Sequence, residues 1–508
     1  MSPLEIPPGD AANRTLVSNV HPADWKNPVP AGRYNLVVVG GGSAGLITSA
    51  IAAGLGARVA LVERHLLGGD CLNVGCVPSK AVIRASRMVA DARRAAAELG
   101  LALPDDTDVD FGAVMERMRR IRARISEEDS ARRYRDELGV DVYLGEARFE
   151  SGDTVLVDDI RLPFRKAVIA TGARATAPPI PGLAEAGYRT NETVFELVER
   201  PQRLGVIGGG PIGCELSQAF ARLGCEVAVF DVADQVLPRE DADAASIVQR
   251  HLIADGVTLA LGCAIEKIER RDGAKFVCGT KSDGTSLAVP VDEILVSVGR
   301  APNIEGLGLD AAGVESDPKR GVIVNDYLQT SNPRIYAAGD ICMDWKFTHA
   351  ADAAAKIVVQ NALFLRTKKL SSLVMPWCTY TDPEIAHVGL YPAEAAAQGI
   401  EIDTHEAPLS QVNRAVTDGT QDGFVRIHVK RGQDRIVGAT IVAAHAGEMI
   451  SEVTLAIVGK LGLGTILNTI HPYPTQAEGL KRVAGVHARS RVTPTVSKLL
   501  AAFMRLRR

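Results

Sequence analysis

Two stretches of this chain repeat one pattern, and that repetition restricts its fold more than any other feature. In the first, Leu36–Val39 is a short apolar, β-branched run that reads as a buried strand. Gly40, Gly42 and Gly45 follow in GxGxxG spacing, then an Ala-rich helix to about Leu55, then a second strand, Arg58–Val62, ending at Glu63. The second copy supplies Gly208, Gly210 and Gly213, a helix over Ile212–Leu223 and a strand Glu226–Phe230 ending at Asp231. In both copies the acid stands 23 residues after the first glycine. A glycine triplet alone is a weak signal. Framed by strand, helix, strand and terminal acid, it is the fingerprint of a dinucleotide site.

The chemistry explains the residue types. The first glycine permits the turn, the second lets backbone approach a pyrophosphate, and the third lets helix pack on strand. The helix N-terminus favours phosphate charge, and Glu63 or Asp231 accepts from ribose hydroxyls. Asp231 would meet a 2′-phosphate with like charge, and Val232 and Ala233 bring no guanidinium, so NADH is expected over NADPH. Two copies imply two nucleotides and two α/β domains.

Between the copies lies GGDCLNVGCVPSK, Gly68–Lys80, with four residues between Cys71 and Cys76. That spacing suits neither a zinc CxxC nor a thioredoxin CxxC. It fits two thiols on the opening turn of a helix, where the amides and macrodipole favour thiolate. Two buried structural cysteines are the plainer alternative. The Gly, Asn and Pro frame and the preceding nucleotide unit favour a redox pair. Pro78 suits an early helical position, and Lys80 lies one turn beyond Cys76.

This segment resembles the active-site stretch of the flavin- and pyridine-nucleotide-dependent disulfide oxidoreductases of class I, a family that includes dihydrolipoyl dehydrogenase, glutathione reductase and mercuric reductase. The resemblance covers roughly residues 33–486. It implies FAD at the first nucleotide unit, a nicotinamide at the second, and a homodimer whose active sites borrow C-terminal residues from the partner. By the family match, Cys76 is the thiol facing the flavin and Cys71 the interchange thiol. Lys80 and Glu215 match an ion pair near the flavin. VIATGA (168–173) and ILVSVGRAPN (294–303) resemble the two crossings between domains, and IYAAGD (335–340) the second flavin signature. Gly69, Ala170, Thr171, Gly172, Gly299, Gly339 and Asp340 thereby join the expected cofactor-binding positions. Asp70 departs from the family's usual Thr, and its charge is expected to disfavour the Cys71 thiolate. His349 is expected to cap or pack.

A second departure concerns the acceptor. Disulfide-reducing members carry a His two residues before the Thr of a PT pair, held by a Glu three residues after that Thr. Aligning Pro474, Thr475 and Glu478 puts Tyr473 in that slot and leaves His471 two residues away. A phenol with pKa near ~10 is a poor proton shuttle at neutral pH. Mercuric reductase resembles the sequence here, with Tyr in the slot and EGLK following, as in Glu478–Lys481. The vicinal C-terminal cysteines and the N-terminal metal domain of that enzyme have no counterpart. A mercuric-reductase-like activity toward a metal ion or similar acceptor is therefore expected. The alternatives are a dihydrolipoamide or small-disulfide reductase, and a flavin-bearing redox sensor or membrane-associated partner protein.

The expected fold is α/β: two Rossmann-like domains for FAD and NAD and an α+β dimerisation domain. Residues 1–32 read as an extended arm pinned by Trp25, 33–185 and 298–366 as the FAD domain, and 186–297 as the NAD(P) domain. Residues 370–486 read as the interface domain. A chain of 508 residues is long enough for three such bodies. Long helices are expected over Lys80–Leu99, Phe111–Leu138, Thr348–Leu363 and Glu448–Leu461. The net charge of −4 exerts no global pull toward nucleic acid. Six further cysteines lie singly and read as core residues, and no metal-ligating cluster is read. MSPLEIPPGD has neither basic n-region nor apolar h-region, so a cytoplasmic enzyme is expected. The tail, 487–508, holds six Lys or Arg and no acid. With Thr493 and Pro494 as cap and first turn, it reads as a basic amphipathic helix with Val496, Leu499, Leu500, Phe503 and Leu506 on one stripe. Such a helix docks on its own dimer, solubilises, or lies on an anionic membrane surface.

Overall fold

The computed structural model describes residues 4–104 and 108–507. These fall into two compact units: residues 4–104, 108–208, 219–232 and 263–373 in the first, and 209–218, 233–262 and 374–507 in the second.

In the first unit, Tyr34–Val39 and Val59–Glu63 are parallel strands joined by the helix Ser43–Gly54, as the glycine pattern requires. Asp141–Leu144 adds beyond Val59–Glu63, and Ile160–Ile169 pairs with the other edge of Tyr34–Val39. Ile335–Ala337 runs parallel along the end of Ile160–Ile169. Buried on both faces, these strands read as near-continuous Val, Ile and Leu runs rather than alternating ones. A second parallel set joins Arg203–Ile207 to Glu226–Phe230 and Glu293–Val296. The intervening helix is Pro211–Arg222. The crossings VIATGA and GRAPN meet: Ala173–Ala175 pairs antiparallel with Arg300–Pro302.

Three local expectations need correction. The N-terminal arm is not wholly extended: Ala11–Val20 is a helix whose cap, Asp10, accepts from Asn13 N–H at 2.8 Å. Its Leu16 and Val20 are buried, which the Pro-rich flanks concealed. Asp10 also receives Arg119 Nε at 2.5 Å, so the arm is fastened by charge as well as by packing. Trp25 does pin it, donating to Val142 O at 3.2 Å beneath the Arg135 guanidinium. The expected helix Phe111–Leu138 is two helices, Phe111–Ile125 and Ala131–Asp136, because the Ser130 hydroxyl caps the second by accepting from Arg133 N–H. The cysteines do not share one opening turn. Cys71 lies in the short helix Gly69–Asn73, and Cys76 opens the long helix Cys76–Glu98. Gly75 makes the break: a Cβ there would stand 2.8 Å from Asp70 O.

The second unit centres on a five-stranded antiparallel sheet ordered Pro376–Thr379, Glu384–Gly389, Ile436–Ala443, Phe424–Lys430, Ile402–Pro408. The helices Ala446–Val458, Leu463–Asn468 and Glu478–Ser490 share its core. Leu455, Val458, Leu461 and Ile470 stay exposed beside that core. The tail helix Pro494–Leu506 forms as expected, with Thr493 accepting from Val496 N–H, and its whole apolar stripe faces solvent. No helix among the described residues is long and apolar enough to cross a membrane.

Candidate functional site

The glycines of the first nucleotide unit create a cradle that side chains would fill. A Cβ on Gly40 would stand 2.3 Å from Ala170 O, and one on Gly45 only 1.8 Å from Gly40 O. Gly42 faces Gly69, where a Cβ would lie 2.6 Å from Gly42 Cα. Bare backbone therefore converges at the helix start, as a pyrophosphate needs. Glu63 ends its strand as expected, with its carboxylate accepting from Gly41 N–H and His65 N–H, both at 2.7 Å. A small cavity of about 70 Å³ opens there between Gly40, Glu63, Gly145 and Thr171. Thr171 and Asn303 exchange hydrogen bonds at 2.9 Å, locking the first crossing to the second beside Gly172 and Gly299. Gly339 approaches Ala44 so closely that a Cβ would stand 3.2 Å from that side chain. This cradle of bare backbone fits a dinucleotide such as FAD.

Asp340 is tied to the redox segment through Arg300, which the sequence reading did not single out. The Arg300 guanidinium pairs with Asp70, stands 3.5 Å from Asp340, and donates to Ala173 O at 2.6 Å. Burial pushes the Asp340 carboxyl up while Arg300 pulls it down. Asp70 is thus paired with Arg300, and Asp129 is a further carboxylate that raises the Cys71 thiol.

Cys71 is half-buried and Cys76 exposed, and both carry reduced sulfur in this structure. The neighbouring Cys76 side chain and burial together push the Cys71 thiol up. Thr348 Oγ1 lies 3.4 Å from Cys76 Sγ at the first residue of the helix Thr348–Leu363. His349, beside it, stacks on Phe347. Lys80 follows Cys76 by one turn of its helix.

The second nucleotide unit repeats the first. Gly208 is left-handed, with a would-be Cβ 2.9 Å from Ser297 O, and Asp231 ends its strand. Gly210, Gly213 and Glu215 belong to the other unit, where the buried Glu215 carboxylate accepts from Tyr380 N–H at 2.8 Å. In the same unit Tyr473 is 69% exposed, and its hydroxyl accepts from Asn413 Nδ2 at 2.8 Å. Glu478 turns to Arg482 at 3.0 Å and makes no bond to Tyr473. His471 is held by Glu452 at 3.0 Å and by Thr469 O at 3.2 Å. Of the single cysteines, Cys214, Cys225, Cys263 and Cys278 are buried, and Cys342 and Cys378 half-buried.

A chain with two nucleotide cradles, a dithiol on the segment that links them in sequence and an α+β unit defines a flavoprotein disulfide reductase. The comparisons agree. The model of the pyridine nucleotide-disulphide oxidoreductases matches residues 34–355, and that of their dimerisation domain residues 375–484. The chain is 35% identical to mercuric reductase of Staphylococcus aureus over 89% of its own length and 82% of that protein. It is 32% identical to dihydrolipoyl dehydrogenase of Chlamydia muridarum over 88% of its length and 95% of that protein. The structure of the HOCl-induced flavoprotein disulfide reductase RclA from Escherichia coli superposes with a TM-score of 0.79 at 26% identity, covering 89% of this chain and 99% of that one. The chain belongs to the pyridine nucleotide–disulfide oxidoreductase family. It is an oxidoreductase that uses FAD and a pyridine nucleotide, and its dimerisation domain supports a homodimer.

Asp129 offers a quantitative test of the electrostatics. A Cβ on Gly68 would stand 3.1 Å from its carboxylate, which burial raises to about 6, with Glu128 adding and Arg133 opposing. This lies above its ordinary 3.8, so the protonated form favours the fold; that contribution is complete below 3.8 and lost as pH rises through about 6. Asp129→Asn should stabilise the protein at neutral pH by about 3 kcal/mol, shrinking as pH falls through that midpoint. Urea unfolding across this range measures it; a gain that does not depend on pH rejects the assignment.

Proposed function

We propose that this enzyme passes electrons from NADH to a soft metal ion held by the Cys71 and Cys76 thiolates. The observation that carries this reading is Tyr473 in the proton-donor slot, with Glu478 engaged by Arg482 and His471 by Glu452. No imidazole stands ready there to protonate a leaving thiol, a role typically worth ~10²–10⁴-fold. A thiophilic metal ion escapes that handicap, because metal–sulfur bonding needs deprotonated sulfur. A divalent ion takes two electrons to become zero-valent metal, while NADH leaves as NAD⁺ and a proton. The likeness to mercuric reductases supports the reading.

FAD, when bound, supplies the two-electron relay between nicotinamide and disulfide. Gly40, Gly42, Gly45, Glu63 and Asp340 hold it, and Gly208, Gly210, Gly213 and Asp231 hold the nicotinamide nucleotide. Cys76 faces the flavin, Cys71 meets the acceptor, and Lys80 with Glu215 places positive charge near the flavin ring. Tyr473 gives the acceptor a hydroxyl contact from the partner subunit.

Reduction by two electrons should therefore produce a long-wavelength charge-transfer band donated by the Cys76 thiolate. Cys76→Ser should abolish it and Cys71→Ser should leave it in the resting enzyme; unchanged spectra in both variants reject the assignment. Because Asp231 accepts from both ribose hydroxyls, kcat/KM should be higher for NADH than for NADPH, and the reverse order overturns that role. Tyr473→Phe should impair Hg(II) reduction while leaving NADH-to-flavin reduction nearly intact. Tyr473→His should raise lipoamide or glutathione disulfide turnover. If the wild type already reduces either disulfide as fast as NADH reduces the flavin, the enzyme is a small-disulfide reductase instead.

A further inference from the structure

The second unit contains a cavity that the redox chemistry does not use. It has a volume of about 470 Å³ and opens between the edge strand Ile402–Pro408, the turn at Gly432 and the last turn of the helix Glu478–Ser490. Two imidazoles line it. His405, on the edge strand, brings Nε2 to 2.9 Å from Nδ1 of His487, on the helix. Their ring planes are inclined by 71°, so they meet edge to edge rather than face to face.

That spacing has a coordination reading. Metal–imidazole bonds measure about 2.0–2.1 Å, so two nitrogens at a right angle around one ion stand about 2.9 Å apart. Right-angled nitrogen pairs belong to the square-planar and tetragonal sites of Cu(II) and Ni(II). His487 is 6% exposed, and its Nε2 finds no partner among the described residues, so the ring is held in place mainly by packing and by His405. Asp403 faces the same cavity two residues before His405, with its carboxylate steadied by Gly432 N–H at 3.1 Å. Among the described residues no three His, Cys, Asp or Glu side chains converge on one point, so water would complete the coordination.

We propose that His405 Nε2 and His487 Nδ1 chelate a divalent first-row transition ion of the Cu(II) or Ni(II) type, with Asp403 compensating its charge across the cavity. The ion would replace the single hydrogen bond between the rings. It would join the edge strand to the helix Glu478–Ser490, so bound metal should stabilise the fold. The site is independent of the acceptor reaction proposed above and involves none of its residues.

The test uses the full-length FAD-bound protein with Cys71 and Cys76 held as the disulfide, which removes their thiolates as competing ligands. Calorimetric titration with Ni(II) should show one saturable ion per chain and a higher Tm. His405→Gln should weaken that site at least tenfold and abolish the Tm gain, with NADH oxidation unchanged. Cu(II) added at one equivalent should show electron paramagnetic resonance coupling to two imidazole nitrogens in the wild type and not in His405→Gln. His405 is the primary variant because it is only half-buried; His487→Gln, at a buried position, serves as a second. Equal Ni(II) affinity of wild type and His405→Gln, or a Cu(II) spectrum without paired nitrogen coupling, means that the histidines only hydrogen-bond to each other.

Discussion

The first unit depends on a backbone contact that leaves no room for a side chain. The space a Cβ would need at Gly40 is taken by Ala170 O, and the space at Gly45 by Gly40 O. One strand end, one helix start and one crossing strand are thereby drawn to a single point. Any larger residue would push the helix off the sheet and remove the anion cradle in the same step. Gly69 extends the arrangement by meeting Gly42 face to face, which sets the short helix of Cys71 against the cradle. The redox pair owes its position to glycines far from it in sequence.

Much of this was legible because the signals were local. The two strand–helix–strand copies need only an apolar run, a glycine triplet and a terminal acid, the acid 23 residues after the first glycine. The helix Pro494–Leu506 announced itself by its capping Thr493 and Pro494 and by apolar spacing, and Thr348–Leu363 by its run of Ala and aliphatic residues. The misreadings share a cause as well. The helix Ala11–Val20 is short and flanked by prolines, and its cap partner Arg119 lies 109 residues away. The break at Ser126–Ser130 depends on one hydroxyl inside a charge run whose i,i+4 pattern otherwise continues. Arg300, Asp129 and Thr348 act on the redox pair or the flavin signature from distant segments, and nothing in their immediate neighbours gave that away.

Charge around the dithiol is arranged in two separate circuits. Asp70, Arg300 and Asp340 form one, with the guanidinium shared between two carboxylates and a carbonyl. Asp129 forms the other, lying against Gly68 and raising Cys71 further. Asp70, next to Cys71 in sequence, is paired with Arg300, and Asp129, 58 residues downstream of Cys71, also raises the Cys71 thiol. Low dielectric makes such distinctions large, because an unpaired buried charge is felt much more strongly than a paired one.

The loop bearing Tyr473 is fastened to the helix Ala446–Val458 by the His471–Glu452 bond, and that helix presents Leu455 and Val458 to solvent. An exposed apolar helix face and the loop carrying Tyr473 are therefore mounted on one piece. Were that face to seat a second subunit and that loop to touch an acceptor, reciprocity would tie the two: a ligand that orders the loop would tighten the association by the factor by which association tightens the ligand.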